Sequence, residues 1–297
     1  MFFSKEAGMI IAGIESGGTK FVCGVGTDQG EILERVSFST TLPDETISHA
    51  TNYLLSMRNK FPWQSVGLAS FGPIDLHRDS PTYGHITSTP KLAWQQVNIV
   101  GLLEQALGIQ VYFDTDVNAA ALAEQRWGAA KGKESVVYIT VGTGIGGGAL
   151  VNGKLVHGIL HPEMGHMPIR SMSDFQGICP FHKSCLEGLA SGPAMQARWG
   201  VPAEQLPSDH PAWQEEADHL AQGLVSIITI LSPGIIVLGG GVMNQAHLLP
   251  LVRRSVQHLL NGYISVPEIT KHVDQYIVPA GLGSNAGLLG AMALTLT

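Results

Sequence analysis

The sequence has 297 residues, of which 44% are hydrophobic and only 14% are charged, which is enough apolar material for about two folded domains. Its formal net charge of −7, with 17 Lys and Arg residues and no basic cluster, argues against nucleic acid or an anionic membrane as the main partner. No apolar stretch reaches the ~18 residues of a membrane span, and no apolar leader opens the chain, which favours a cytoplasmic protein with reduced thiols.

The first half of the chain is typical of an α/β domain that opens with three strands. A glycine loop at 13–20 separates an apolar run from an alternating run, and two short strands joined in this way indicate a hairpin. Another turn at 28–30 leads into a third strand. The segments that follow predict a helix at 43–60, a strand at 65–70, a helix near 98–107, a strand at 110–115 and a helix at 119–127.

The second half of the chain begins in the same way. A β-branched run at 135–141 precedes a glycine loop at 142–148, and a hairpin follows at 149–156. This repetition predicts an internal duplication, with two like α/β domains that face each other across a cleft. The remaining segments predict helices near 186–199, 212–231 and 246–260, strands at 235–238 and 276–278, a glycine loop at 239–241 and a last helix at 284–296.

The glycine loops predict a nucleotide site. Gly142, Gly144 and Gly147 match the G-x-G-x-x-G fingerprint of dinucleotide folds, but that fingerprint has to open a helix and here it leads into a strand. Two hairpin loops with the hydroxyls of Thr19 and Thr143 can instead bind phosphates through their N–H groups, while the third loop lies against a nucleoside. Each loop alone is equally well explained as a tight turn, but the three together favour ATP.

The sequence Asp-Thr-Asp-Val-Asn at 114–118 ends a strand and opens a helix. Open α/β sheets bind their ligands at the carboxyl ends of strands, and phosphoryl transfer to a sugar hydroxyl needs a carboxylate that accepts the hydroxyl proton. Asp116 is our candidate for that general base. The alternative is that this aspartate only caps the helix by accepting N–H groups of its first turn.

A stretch rich in histidine and cysteine at 161–192 predicts a metal site. Zinc favours four tetrahedral nitrogen or sulfur ligands, and this stretch supplies that number as His166, Cys179, His182 and Cys185. Because the spacing C-x2-H-x2-C is unusual for a zinc site, two alternatives stay open. One is a disulfide between Cys179 and Cys185, which a reducing compartment disfavours, and the other is a pair of thiols that bind nothing.

Several motifs together resemble the ROK family of sugar kinases, and most closely its zinc-binding fructokinase branch. They occur in the family's order as GIESGGTKFVCGV, SFGPID, TSTPKLAW, DTDVNAAALAE, VGTGIGGGALVNGKLVHG, HPEMGHM and CPFHKSCLEG, and they cover essentially the whole chain from Ile11 onward. The resemblance implies an α/β fold of two actin-like, ribonuclease-H-like domains of the ASKHA sugar-kinase type around an interdomain cleft. It also implies ATP-dependent phosphorylation of fructose to fructose 6-phosphate, magnesium that accompanies ATP, and a homodimer.

We place the small N-terminal domain at 1–115, with a C-terminal helix at 284–297 packing back on it, and the large domain at 116–283. The large domain contains an insertion at 160–187 with a structural zinc. The resemblance matches Asp116 to the catalytic base. The sugar ligands that it implies are Gly72, Pro73, Lys91, Asp116, Glu163, His166 and Glu187. The nucleotide ligands that it implies are Gly17, Gly18, Thr19, Lys20, Thr143, Gly144, Gly192, Gly240 and Gly241.

The sequence departs from the family pattern at two positions. Glu15 stands where many relatives have an aspartate near magnesium, and Thr115 stands where an asparagine usually precedes the base. The nearest alternative activity is that of a glucose, mannose or N-acetylhexosamine kinase. Sugar-sensing repressors share the fold, but they carry a DNA-binding segment before the first glycine loop, where this chain has about ten residues.

Overall fold

A computed structural model describes residues 8–297, which form two compact units. Unit 1 comprises the described residues up to Trp127 together with His157–His161 and Ser284–Thr297. Unit 2 comprises Gly128–Val156 and Pro162–Gly283. Among the helices of the described residues, none combines the length and the apolar character that a membrane crossing requires.

Unit 1 is built on a five-stranded sheet with the order β3-β2-β1-β4-β7. The strands of unit 1 as a whole are β1 (Ile10–Ser16), β2 (Lys20–Thr27), β3 (Ile32–Ser39), β4 (Val66–Ser70), β5 (His85–Ile86), β6 (Val97–Asn98) and β7 (Val111–Thr115). Its first helices are α1 (Pro43–Arg58), α2 (Ile99–Leu107) and α3 (Asp116–Trp127). The strands β1, β2 and β3 are antiparallel, whereas β4 and β7 run parallel to β1, and β5 pairs separately with β6.

Unit 2 repeats this topology with the order β10-β9-β8-β11-β12. Its strands are β8 (Val136–Val141), β9 (Ile145–Val151), β10 (Lys154–Leu155), β11 (Ile235–Gly239) and β12 (Ile277–Pro279). Its helices are α4 (Leu186–Ala190), α5 (Gly192–Trp199), α6 (Ala212–Leu231), α7 (Leu248–Leu260), α8 (Pro267–Thr270) and α9 (Val273–Tyr276). Three antiparallel strands are again followed by two parallel ones, so the predicted duplication is confirmed.

The closing helix α10 (Ala286–Leu294) is buried along its whole length and packs on the sheet of unit 1 and on α3. Glycines allow this close approach. A Cβ at Gly67 would lie 1.7 Å from the carbonyl oxygen of Ala291, and a Cβ at Gly290 would lie 2.4 Å from the backbone of Ala119. Because α3 packs against α10, unit 1 extends to Trp127 instead of ending at the predicted boundary after residue 115.

The observed glycine turns are shorter than the predicted loops at 13–20 and 142–148, since several of the glycines belong to strands. Gly13 lies in β1, where a Cβ would come within 2.9 Å of the Met292 side chain. Gly147 lies in β9, where a Cβ would come within 2.6 Å of Met164 Sδ. Glycine therefore makes room for a neighbouring side chain at these positions, and only the turns at 17–19 and 142–144 remain outside the strands.

One predicted helix is divided in two. The segment at 186–199 forms α4 and α5, which are separated by Ser191. The Ser191 side chain accepts a hydrogen bond from the Ala194 N–H at 3.3 Å and so caps α5. The break places Gly192 at the first residue of α5.

A buried tryptophan, Trp94, fixes one loop of unit 1. The indole N–H of Trp94 donates to the Thr41 carbonyl at 2.9 Å, and its ring packs on Phe21 and Phe71 with centroids 5.5 and 5.7 Å apart. Trp94 is only 1% exposed. It therefore ties the segment around residues 89–95 to the sheet.

Candidate functional site

The turn Gly17–Thr19 joins β1 to β2. Its Gly17 N–H donates to the Lys20 carbonyl at 2.9 Å, and the Thr40 hydroxyl donates to the Gly17 carbonyl at 2.7 Å. A Cβ at Gly17 would lie 2.8 Å from the Lys20 carbonyl oxygen, so this position needs glycine. Gly18 is only half-buried, and Thr19 and Lys20 are exposed. The turn thus offers backbone N–H groups, a hydroxyl and an ammonium group to an anion.

The carboxyl group of Glu15 lies just before this turn and packs against α10. A Cβ at Gly287 would come within 2.3 Å of the Glu15 Cδ, which explains the small residue there. Burial raises the pKa of Glu15, while the positive charge of Lys20 opposes that rise. Its Oε2 atom is buried and has no hydrogen-bond partner among the described residues. An oxygen in this situation suits a hard cation, whose preferred ligands are oxygens.

Lys91 lies beside the same turn. A Cβ at Gly18 would lie 3.5 Å from the Lys91 Cε atom. The Lys91 N–H donates to the hydroxyl of Thr89 at 3.3 Å, and the Lys91 carbonyl accepts from the Trp94 N–H at 2.8 Å. Because Thr89 and Trp94 are buried, the backbone of Lys91 is well anchored.

Gly72 and Pro73 follow β4 and are joined by a cis peptide bond. The Pro73 carbonyl accepts hydrogen bonds from both the N–H and the hydroxyl of Thr87, at 2.8 and 3.0 Å. A Cβ at Gly72 would lie 3.4 Å from the Nε2 atom of His161. This Nε2 accepts the Ile74 N–H at 3.2 Å, which holds the loop after β4 against residues 157–161.

The helix cap at the end of β7 is Thr115. Its hydroxyl accepts the Asn118 N–H at 3.1 Å, as an N-cap side chain does. The Asp116 carboxylate accepts the N–H of the next residue, Val117, at 2.9 Å. The alternative interpretation of Asp116 as the cap is therefore not needed to explain how α3 begins, and α3 begins at Asp116 instead of at the predicted residue 119.

A contact between the buried Asp114 and the exposed His157, next to this position, was not predicted. Asp114, which is 3% exposed, accepts the Thr115 N–H at 2.7 Å and the Asn118 side-chain amide at 2.8 Å through Oδ1. Its Oδ2 lies 2.8 Å from the Nε2 atom of His157. This hydrogen bond raises the pKa of His157, against the effect of partial burial. The two residues are 43 positions apart, and nothing in the local sequence signals the pairing.

In unit 2 the second and third glycine loops and the start of α5 lie together. The Gly192 N–H donates to the Gly142 carbonyl at 2.8 Å. A Cβ at Gly142 would lie 3.8 Å from the Gly241 nitrogen, and the space beside Gly241 is open. Gly240 has φ of 90°, and a Cβ there would lie 2.3 Å from the Val141 carbonyl oxygen, so that turn requires glycine.

Glu187 supports the second glycine turn. Its Oε2 accepts the Ile145 N–H at 3.0 Å, and a Cβ at Gly144 would come within 2.6 Å of the same oxygen. Partial burial and the nearby Glu187 carboxylate raise the pKa of Glu163 to about 6. Two predicted sugar ligands thus lie near each other, and one of them also holds a predicted nucleotide turn. The sequence reasoning missed this second role of Glu187.

The four predicted metal ligands form a compact cluster. All their ligand atoms lie within 4.8 Å of one another, and no disulfide joins the free thiols of Cys179 and Cys185. The Nδ1 atom of His166 lies 3.9 Å from Cys179 Sγ and 3.6 Å from Cys185 Sγ, and His182 Nδ1 lies 3.7 Å from Cys179 Sγ. A tetrahedral zinc with bonds of about 2.1 Å to nitrogen and 2.3 Å to sulfur separates its ligands by roughly 3.5–3.8 Å, so the donor set fits zinc.

The cluster is built into the start of α4. The Sγ atom of Cys185 accepts the Gly188 N–H at 3.4 Å and caps this helix, which also contains Glu187. Burial raises the pKa of Cys185 to about 11, so that metal binding would release its proton. A Cβ at Gly188 would lie 1.9 Å from the Lys183 carbonyl oxygen, which fixes the tight turn after His182.

The predicted site residues therefore fall into two sets. Unit 1 contains Gly17, Gly18, Thr19, Lys20, Gly72, Pro73, Lys91 and Asp116. Unit 2 contains Thr143, Gly144, Glu163, His166, Cys179, His182, Cys185, Glu187, Gly192, Gly240 and Gly241. Within unit 2 the four metal ligands come together, and so do the glycine loops at 142–144 and 240–241 with Gly192.

Known proteins match this chain over nearly its whole length. Residues 11–297 match the ROK family. The chain is 43% identical to a fructokinase of Zymomonas mobilis subsp. mobilis over 95% of each chain, and 41% identical to a fructokinase of Pediococcus pentosaceus over 96% of this chain and 97% of that one. A ROK family glucokinase from Streptomyces griseus, solved in complex with glucose and AMPPNP, superposes with a TM-score of 0.74 at 25% identity and covers 96% of this chain and 98% of its own.

Proposed function

Because the chain belongs to the ROK family, we propose that it is a fructokinase that transfers the γ-phosphoryl group of ATP to fructose and forms fructose 6-phosphate. The observation that supports this most strongly is the identity of 41–43% with two fructokinases over at least 95% of the chain. The repeated sheet topology of the two units is that of an actin-like sugar kinase.

Asp116 is the proposed general base. Phosphoryl transfer needs little covalent chemistry from the protein, but a carboxylate must accept the proton of the attacking hydroxyl. Asp116 follows the carboxyl end of β7, where open α/β sheets bind ligands. Since the Thr115 hydroxyl accepts the Asn118 N–H, the cap of α3 does not require the Asp116 carboxylate.

The glycine turns are the proposed nucleotide ligands. In unit 1 the N–H groups of the turn at 17–19, with Lys20, would bind phosphate oxygens. In unit 2 Thr143 and Gly144 would also bind phosphate, while the open space beside Gly241 would accept the adenosine and Gly192 would lie next to it. Magnesium bound to the ATP phosphates would neutralise part of their charge, and Glu15 supplies a buried carboxylate oxygen near the first turn.

His166, Cys179, His182 and Cys185 are the proposed ligands of a structural zinc, since their geometry suits a closed tetrahedral site. Glu163, His166 and Glu187 are the proposed ligands of the sugar hydroxyls in unit 2. His166 belongs to both sets. Residues that bind a metal also hold their neighbours in position, so the zinc would fix His166 and the start of α4.

A coupled assay of ADP formation tests the substrate. Carboxylates that accept hydrogen bonds from specific hydroxyls discriminate strongly against sugars that lack the matching donor. We expect kcat/KM to be highest for fructose, lower for mannose and near zero for N-acetylglucosamine. The same assay with glucose completes the series. A preference for an N-acetylated sugar would assign the chain to another branch of the family.

The two roles of Glu187 predict different results for two substitutions. Glu187→Gln keeps an oxygen that can accept the Ile145 N–H, so KM for ATP should stay within about twofold of the wild-type value. Its KM for fructose should rise by about tenfold or more, because a neutral amide replaces the carboxylate that accepts a sugar hydroxyl.

Glu187→Ala is the matched comparison. It also removes the acceptor that supports the turn at 142–144, and KM for ATP should therefore rise as well. Steady-state kinetics with each substrate varied in turn measure both effects. A rise in KM for ATP in Glu187→Gln, with no change for fructose, would contradict the assignment of Glu187 to the sugar.

A further inference from the structure

Unit 1 contains a cavity of about 240 Å³ beside β7 and residues 157–161. One part of its wall is apolar and includes Ile74 and Phe113. The other part is polar and includes Arg78, Asp114 and His157. None of its lining residues belongs to the sets that we assign to sugar, nucleotide or metal.

The polar wall includes the positive charge of Arg78. Arg78 forms no ion pair with any described residue, and its guanidinium carbon lies 5.6 Å from the centre of the Tyr83 ring, which also lines the cavity. His157 donates to Asp114, and this hydrogen bond raises its pKa, which favours the imidazolium form. The one carboxylate of the lining, Asp114, accepts hydrogen bonds from three donors, and among these the imidazolium of His157 carries the opposite charge.

We propose that this cavity binds a phosphate monoester, with the phosphate group between Arg78 and His157 and the carbon skeleton against the apolar wall. Charged guanidinium and imidazolium donors form stronger hydrogen bonds to phosphate oxygens than neutral donors do. Pockets for drug-sized ligands have volumes of about 300–1,000 Å³, so this smaller cavity suits a sugar phosphate and is too small for a nucleotide.

The cavity is connected to the proposed base by hydrogen bonds within unit 1. His157 bonds to Asp114, and Asp114 bonds to the Thr115 N–H and to the side chain of Asn118 in the first turn of α3. An anion that draws His157 toward itself weakens its bond to Asp114. A bound phosphate ester would therefore act on the helix that begins with Asp116.

Calorimetric titration tests the site without relying on activity. The probes are glucose 6-phosphate and inorganic phosphate, each added to the full chain in the presence of saturating AMPPNP, which occupies the nucleotide turns. Arg78→Ala should weaken the binding of glucose 6-phosphate by at least tenfold. Arg58→Ala is the matched control, since Arg58 is also an exposed arginine over an aromatic ring, Trp63, but does not line the cavity. It should bind like the wild type.

Three results would overturn the proposal. One is the absence of saturable binding to the wild-type protein, and another is equal affinity in Arg78→Ala and the wild type. Equal affinity of the wild type for the two probes would assign the cavity to free phosphate and exclude the ester. If AMPPNP itself fails to bind, the proposed kinase function is in error, but the comparison of Arg78→Ala with Arg58→Ala still tests the cavity.

A second inference concerns Lys91 and rests on the proposed kinase function. Its Cε atom lies 3.5 Å from where a Cβ of Gly18 would lie, at the proposed phosphate turn. No described carboxylate forms an ion pair with Lys91. The buried residues Thr89 and Trp94 anchor its backbone. An ammonium group next to a phosphate turn can stabilise charge that develops on a transferred phosphoryl group.

We infer that Lys91 is a catalytic residue that contacts the transferred phosphoryl group, and not a ligand of the sugar hydroxyls. Lys91→Met should lower kcat by roughly 100-fold or more and leave KM for fructose within about twofold. Lys131→Met, at an exposed position in unit 2, should behave like the wild type. A raised KM for fructose with nearly unchanged kcat would overturn this assignment, whereas a wild-type protein inactive on every hexose would contradict the kinase function itself.

Discussion

Asp116→Asn is expected to lower kcat by about 10²–10⁴, the usual contribution of a positioned general base, while the protein folds normally. The Asn side chain keeps an oxygen that can accept the Val117 N–H, and the cap of α3 comes from the Thr115 hydroxyl, so the helix start is preserved. KM for fructose and ATP should change far less than kcat. Steady-state kinetics and the melting temperature, measured on the same preparation, check both parts of this result.

The matched control is Asp44→Asn. Asp44 is also an aspartate in the first turn of a helix, α1, but it is exposed and no site residue lies next to it in the sequence. The same change of charge there should leave kcat unchanged. Thr115→Ala should instead lower stability by about 1 kcal/mol, since it removes the cap. Wild-type turnover in Asp116→Asn would mean that this carboxylate is only a local structural group.

The repeated fold could be predicted because its signals are local. Each unit opens with short apolar runs joined by glycine turns, and this pattern predicts hairpins directly. The limits of the turns could not be predicted, because the sequence does not tell a glycine in a turn from a glycine that admits a neighbouring helix. Gly13 is of the second kind, since it lies in β1 against Met292, 279 positions away in the chain.

The difference between local signals and contacts of distant segments also separates the parts of the site that were predicted from those that were not. The metal ligands lie within one stretch, from His166 to Cys185, and their residue types alone suggest a zinc site. The bond between Asp114 and His157 and the approach of Lys91 to Gly18 join distant segments. Such contacts depend on the packing of the whole of unit 1, which residue spacing does not encode.

The chain should contain one bound zinc, and Cys185→Ser should abolish the binding of this zinc. Serine is a good helix N-cap, so the Gly188 N–H keeps an acceptor and α4 can still begin at the same place. The hydroxyl does not replace the thiolate ligand, and the loop from His166 to Cys185 loses its cross-link. We therefore expect a lower melting temperature, because binding energy of a structural metal contributes to folding.

The same variant should raise KM for fructose by about tenfold or more, because the zinc orients His166 and the helix that contains Glu187. Removal of the metal from the wild type with a chelator should reproduce both effects, and re-addition of zinc should reverse them. His258→Ala is the control, since this exposed histidine of α7 lies outside the cluster and its loss should leave the zinc content at one per chain. Metal analysis of protein purified without added zinc decides the assignment. A chain without metal would exclude the zinc site. A Cys185→Ser variant with wild-type stability and KM would exclude a zinc that supports both the fold and the sugar site.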